Sequence, residues 1–438
     1  MVKCPICGEF DENDNFTCPK CNREYICGKH YDYDYLVCTD CSAKIKEEKR
    51  KKLEAEKKEK EKKVRKAPKA DELKPIEVKE EKSPFYYKKA RCPVCGSYSE
   101  NKYFHAKMYS ERKTEIDKQV ILYGWKNPEF KKYHPPLYYF WHCKGCKYTD
   151  SYLEFENPMK NMWSNFRTVA DSFEQKMEND DKFASLVELL SSDISFDNMD
   201  FLSSIKLHLL AIAIQECIDD EKERDPFKLG RYYLRYGWLF RDMKTNEEFG
   251  KQLPSVNQFI PKVRKFWKEV PSDERTALGY AARYLNIAFK VYPGIKSMVA
   301  EVDLLLMIAG IYLKMNNHQK ALEYMNMVIQ RGQKSKMKIE TRLRDIDHDK
   351  VGSLDEEHKL SIQLKKIGVI VSRARDTMLD IQQERFKAEK AKAEKIIAKL
   401  KDKTPAEIRE ILIKKGIDRK VAIKLTPEIK KKKFLGLF

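Results

Sequence analysis

The sequence predicts a mainly α protein: a TPR-like helical-repeat body with two small zinc-binding modules ahead of it. Three observations lead there. Residues 158–332 carry apolar residues at helical spacing and no convincing strand pattern. Ten of the 12 cysteines fall in C-x-x-C pairs, which points to thiolate–metal chemistry in a reducing compartment rather than to disulfides. The charged fraction is 35%, above the ~25% of an ordinary globular domain, so part of the chain is solvated helix or tail.

The first 41 residues read Cys4-x2-Cys7-x10-Cys18-x2-Cys21-x5-Cys27-x2-His30-x7-Cys38-x2-Cys41. Zinc takes four tetrahedral N or S ligands, and a two-residue gap lets one tight turn aim both side chains at one ion. These eight ligands therefore make two closed sites. A segment this short buries too little apolar surface to fold alone, so the metal supplies the folding energy. The stretch Phe16-Thr-Cys-Pro-Lys-Cys21, continued by Tyr25-Ile-Cys27-Gly-Lys-His30, resembles the AN1-type zinc finger. The resemblance implies a protein-binding module over residues 1–42 with a cross-brace. In it Cys4, Cys7, Cys27 and His30 share one ion, and Cys18, Cys21, Cys38 and Cys41 share the other. Two consecutive sites are the competing wiring.

Residues 43–84 read as a spacer and linker. Lys44–Lys66 holds 13 basic and 6 acidic residues, and each of the six glutamates has Lys or Arg four positions on. Glu ahead of a base at that spacing favours helix by about 0.2–0.5 kcal/mol per pair, so the segment is expected to be a solitary charged helix. Pro68, Pro75 and Pro84 keep the remainder of the linker irregular.

The second module spans residues 85–157. Cys92-Pro-Val-Cys95-Gly96 and Cys143-Lys-Gly-Cys146 supply four more thiolates, and Leu137–His142 has strong β character. We expect a zinc ribbon: strand, knuckle, long excursion, strand, knuckle. His105, His134 and His142 are then polar or packing residues. Of Tyr138, Tyr139, Phe140 and Trp141, at least two belong to the core rather than to a base-stacking surface.

This module and the helices behind it resemble the DUF2225 family. The matching residues are Ala90-Arg-Cys-Pro-Val-Cys-Gly96, Pro136-Leu-Tyr-Tyr139, Trp141, Cys143-x-x-Cys146-x-Tyr148 and Tyr236-Gly-Trp-Leu-Phe-Arg241, over roughly residues 85–345. The resemblance implies a zinc-binding head on a helical-repeat body and carries over no catalytic residues. Lys144 and Lys147 stand where the second knuckle of the family has Pro and Gly.

In the body, residues 158–345, helices are expected near 160–178, 200–219, 227–243, 257–269, 273–291, 299–315 and 318–332. Leu305, Ile308, Ala309 and Tyr312 face Ala321, Met325 and Val328 with tetratricopeptide spacing. Tyr233, Tyr236, Gly237 and Phe240 suggest an earlier first helix; Ala281, Leu285, Ala288 and Pro293 suggest an earlier second one. Cys217 reads as a buried packing thiol.

Residues 355–401 form a long helix with a heptad seam at Leu360, Leu364, Ile367, Val371, Ala374, Met378 and Ile381, which either pairs with another copy or docks on the body. Residues 404–426 form a small hairpin: Thr404-Pro405-Ala-Glu407 is a capping box, Gly416 a stop and Asp418 a second cap. Lys430–Lys433 and Phe434–Phe438 lie in the basic, apolar tail 427–438, which suits docking or weak membrane-surface contact.

The net charge of +19 sits almost wholly in two arms, +7 in Lys44–Lys66 and +10 in Glu384–Lys433. The remainder is nearly neutral. The longest apolar runs, Leu207–Ile218 and Val302–Leu313, fall short of the ~20 residues of a spanning helix. The N-terminus lacks a signal-peptide apolar run, so the expected location is cytoplasmic. No phosphate loop, dinucleotide fingerprint, zinc-protease motif or nucleophile elbow is present. The expected function is therefore a non-catalytic scaffold or adaptor holding three zinc ions, with other proteins as partners. Nucleic acid is the second choice.

Overall fold

The computed structural model describes residues 83–426 apart from Ala106, 160–164, Ser195, 292–294, Lys296, 348–352 and 401–402. Before residue 83 it describes Ile6, Cys21, Tyr31–Asp32, residues 37–44 and Glu47. The chain divides into two compact units, Met1–Lys82 and Ser83–Phe438.

In the first unit β1 (Tyr31–Asp32) pairs antiparallel with β2 (Val37–Cys38), and residues 39–44 are helical. Cys41 is buried there and Cys21 is exposed. The expected ligands Cys4, Cys7, Cys18, Cys27 and His30, and nearly all of the charged spacer, lie outside the described residues.

The second unit opens with two hairpins. β3 (Phe85–Arg91) pairs antiparallel with β4 (Tyr98–Phe104), and β5 (Tyr109–Thr114) with β6 (Val120–Trp125) through a bulge near Lys113. The β5–β6 hairpin fills the long excursion between the knuckles, for which the sequence pattern specifies no element. A third, short hairpin joins β7 (Phe140–His142) to β8 (Thr149–Ser151).

Helices come next: α1 (Tyr152–Glu156), α2 (Phe166–Asn179), α3 (Asp181–Ser191) and α4 (Phe201–Glu216). The chain continues through α5 (Pro226–Thr245), α6 (Glu247–Gly250), α7 (Leu253–Arg264) and α8 (Glu274–Val291). Last come α9 (Met298–Lys314), α10 (His318–Arg344), α11 (Ser353–Ile397), α12 (Pro405–Lys414) and α13 (Arg419–Leu425). The second unit is thus mainly helical. α4 has apolar residues on every face and is buried nearly all round, its Ser203, Ser204, Lys206, His208 and Gln215 included. Asp200 caps it by accepting from the Ser203 N–H at 2.7 Å.

α5 packs along α8. Tyr233 stacks on Tyr280 and Tyr284, with centroids 4.9 and 5.7 Å apart. Gly230 permits the close crossing, since a Cβ there would lie 2.6 Å from Leu285 Cγ. α9 and α10 pack through Leu305 and Ala309 against Ala321, Met325 and Val328, all buried, while Ile308 joins the larger core.

Several boundaries differ from expectation. α3 is an additional helix; Asp180 ends α2 and caps α3 by accepting from the Phe183 N–H at 3.0 Å. α7 starts at Leu253-Pro254, with proline in the first turn, and ends before 269. α10 runs past Gly332 to Arg344. Gly332 does not stop the helix; it makes room for Val371 of α11, which a Cβ there would strike.

The seam of α11 packs on α9 and α10: Leu360, Ile367, Val371, Ala374 and Ile381 are buried, so it docks on the body of its own chain. Both halves of the capping box form at Thr404 and Glu407, and Gly416 takes φ +78° behind α12. Leu412, Ile417, Val421 and Ala422 close a small core on Ala393 of α11. The tail from residue 427 lies outside the described residues. Among the described residues no helix is long and apolar enough to cross a membrane.

Candidate metal centre

The β3–β4 and β7–β8 hairpins each turn through a C-x-x-C pair, and the turns are built alike. In the first, the Cys92 N–H donates to the Ser97 carbonyl at 2.7 Å and the Gly96 N–H to the Cys92 carbonyl at 3.0 Å. In the second, the Cys143 N–H donates to the Tyr148 carbonyl at 2.8 Å and the Lys147 N–H to the Cys143 carbonyl at 2.9 Å. Gly96 takes φ +75° and Lys147 φ +69°. A lysine therefore fills the left-handed position that glycine fills in the first knuckle, and the turn stays closed.

The two knuckles face each other. The Sγ atoms of Cys92, Cys95, Cys143 and Cys146 all lie within 4.8 Å of one another. Cys92 and Cys146 are 3.6 Å apart, and Cys95 and Cys143 3.5 Å. A tetrahedron of sulfurs about 2.3 Å from zinc has edges near ~3.8 Å, so the cluster can hold a metal ion and its size is compatible with zinc. The hydrogen bond from the Cys146 thiol holds Cys92 down to about 5, while Cys146 is pushed far up. Burial opposes ionisation of Cys95, but hydrogen bonds at Ser97 outweigh it and its thiol is also lowered.

Residues that the sequence pattern does not single out shape the cluster. Ser97 Oγ lies 3.0 Å from Cys95 Sγ and 3.2 Å from Cys143 Sγ, bridging the knuckles beside the sulfurs. Gly145 faces it: a Cβ on Gly145 would fall 2.9 Å from that hydroxyl. The Lys144 N–H donates to Ser99 Oγ at 3.1 Å, which ties the second knuckle to β4. Among the described residues this is the one cysteine-rich cluster.

The spare histidines are packing groups. His142 is bonded to Thr149 at 2.8 Å and stacks on Phe196. Burial lowers His142 to about 3. His105 stacks on Tyr86, and His134 reaches Asp242 at 2.8 Å. Of the four successive aromatics, Tyr138, Phe140 and Trp141 are buried and Tyr139 packs partly buried against them. Burial also raises the Cys217 thiol to about 12, as suits a packing residue.

Two buried polar networks fasten the hairpins to α5. Asp150 of β8 accepts from Lys228 Nζ and from the Tyr148 hydroxyl, each at 2.7 Å, and also from Tyr232. The β5–β6 turn enters the helices at Asp117. Trp238 donates to it at 3.2 Å, Arg241 Nη2 lies 2.8 Å from the same carboxylate, and Arg241 Nη1 donates to Gln119 at 2.6 Å. A Cβ on Gly310 of α9 would meet the Asp117 backbone N–H nitrogen at 2.7 Å, so that glycine admits the loop.

A family model described as "Uncharacterized protein conserved in bacteria (DUF2225)" matches residues 85–349. The chain belongs to the DUF2225 family. No curated protein and no solved structure matches it. The DUF2225 segment takes in both knuckles, the β5–β6 hairpin and the helices through α10. The stretch Tyr236–Arg241, one of the segments that carry the resemblance to DUF2225, is structural here. Tyr236 donates to the Pro271 carbonyl at 2.9 Å, Gly237 meets Leu278, and Trp238 and Arg241 hold Asp117.

Proposed function

We propose that this DUF2225 protein is a non-catalytic, zinc-binding scaffold of the cytoplasm. Its TPR-like body would engage other proteins, and its AN1-like finger and zinc ribbon would be structural modules. The observation that carries the reading is the closure of the four-cysteine cluster. Four thiolates complete a tetrahedral zinc and leave no coordination position for a substrate or water. The metal then pins the β3–β4 hairpin to the β7–β8 hairpin, whose Asp150 is bonded into α5, so it stabilises the head on the body. Antiparallel helix pairs such as α9–α10 support the repeat reading, since such pairs present grooves to peptides. Three ions are expected: one on Cys92, Cys95, Cys143 and Cys146, and two on Cys4, Cys7, Cys18, Cys21, Cys27, His30, Cys38 and Cys41.

Two measurements on the intact protein test this. Elemental analysis should find about three zinc ions per chain; fewer than two, or bound iron, overturns the metal assignment. Affinity capture should recover protein partners that persist at moderate salt. Recovery of nucleic acid alone, lost on removing residues 1–66 or 402–438, overturns the scaffold reading in favour of a nucleic-acid binder.

A further inference from the structure

A cavity of about 330 Å³ lies between β4, the β5–β6 hairpin, the Pro135–Tyr138 turn and α5. That is the lower end of the ~300–1,000 Å³ range of small-molecule sites. Half of its lining residues are aromatic, with Tyr109, Tyr123, Tyr139, Tyr152 and Trp238 among them. Arg235 lines it, half-buried, with its guanidinium carbon 3.8 Å from the Tyr139 ring centroid and 5.5 Å from that of Trp238.

Among the described residues Arg235 makes no ion pair, although Glu111 and Asp242 also line the cavity. Its helix neighbours both have acids: Arg231 pairs with Glu154, and Arg241 with Asp117 and Glu274. The other lining charges are accounted for. Lys118 pairs with Asp303, Asp242 is held by His134 and Gln119, and Glu111 is exposed to water. Arg235 has no ion-pair or hydrogen-bond partner among the described residues. The hydroxyls of Tyr109, Tyr123 and Tyr152 likewise make no hydrogen bond there. A guanidinium stacked on a ring keeps its N–H edge free, and that edge matches the two oxygens of a carboxylate or phosphate. Tyrosine hydroxyls add donors, and the rings offer flat apolar walls.

We propose that this cavity binds a small aromatic anion, its carboxylate or phosphate on Arg235 and its ring among the tyrosines. The proposal does not depend on the scaffold reading.

Titration calorimetry of the intact, zinc-loaded protein tests it with benzoate, phenyl phosphate and benzylamine as probes. At least one anion should bind at millimolar concentration or below, and benzylamine should not. The preferred anion distinguishes a carboxylate ligand from a phosphate one. Arg235→Gln should weaken binding about tenfold or more, and Arg235→Lys should restore part of it as a charge without the fork. Tyr123→Phe keeps the ring and should weaken binding a few-fold. It also decides the matter should Arg235→Gln fail to fold. Binding of neither anion, equal binding of benzylamine, or affinity unchanged in Arg235→Gln or in Tyr123→Phe overturns the proposal.

Discussion

The indole N–H of Trp238 donates to the Asp117 carboxylate at 3.2 Å, joining α5 to the β5–β6 turn across 121 residues of chain. The same carboxylate is fully buried and lies 2.8 Å from Arg241 Nη2. Removing one partner from a buried ion pair typically costs about 3–5 kcal/mol, and Glu274 remains on Arg241 to hold the loss to the lower end of that range. Asp117→Ala should therefore lower unfolding stability by roughly that amount in denaturant titration. Trp238→Phe, which keeps the ion pair and removes one hydrogen bond, should lower it by about 1 kcal/mol. Equal effects would mean that the ion pair contributes little.

Gly145 should govern metal retention through Ser97. The Cβ of Gly145→Ala would press on the Ser97 hydroxyl and splay the two knuckles. Zinc release to a competing chelator should speed up in that variant. Adding Ser97→Ala removes the obstructing oxygen and should recover much of the retention. Failure of the second change to rescue the first would locate the strain elsewhere.

Lys147 is held at φ +69°, a conformation disfavoured by about 1–2 kcal/mol for a side chain with a Cβ. Lys147→Gly should raise stability by about 1 kcal/mol and slow zinc loss. Lys147→Val, branched at Cβ, should do the opposite. Thermal unfolding of the zinc-loaded variants reads both.

Acid should weaken the helical body through His208. This side chain is fully buried, Nδ1–H donates to the Ser204 carbonyl at 2.7 Å, and burial lowers it from 6.5 to about 3. The unfolded chain then binds a proton that the folded one refuses. Stability contributed by the neutral ring is full above pH 6.5 and declines below it, by up to about 1.4 kcal/mol per unit, until about pH 3. Glu154 acts in the same direction in a lower window. Burial opposes its ionisation, but Lys228 and Arg231 outweigh that and hold it at about 2, so its contribution fades from pH 4.5 downward. Denaturant titrations between about pH 7 and 4 should show the fall, and His208→Gln should make its upper part shallower, leaving the share of His142, which burial lowers likewise. An unchanged slope in that variant would exclude His208 as the group responsible.

What the sequence by itself determined is what short-range chemistry writes into spacing. The C-x-x-C pairs specify tight knuckles whatever surrounds them, and Cys92, Cys95, Cys143 and Cys146 come together as their number and spacing require. The capping box at Thr404–Glu407, the largely apolar run of α4 and the seam of α11 are likewise local or periodic signals. Tertiary structure decided what depends on residues remote in the chain. Whether the α11 seam pairs with another copy or docks at home was settled by α9 and α10 offering it a surface. The sequence pattern ends a helix near 332, yet Gly332 lies within α10 and admits Val371. Asp117, Ser97, Gly145 and Arg235 carry no pattern that marks them, because their surroundings are made by residues that only folding brings close. A lysine in the left-handed turn at residue 147 is the same case. Nothing in its identity favours that conformation, and only closure of the hairpin around the sulfur cluster holds it there.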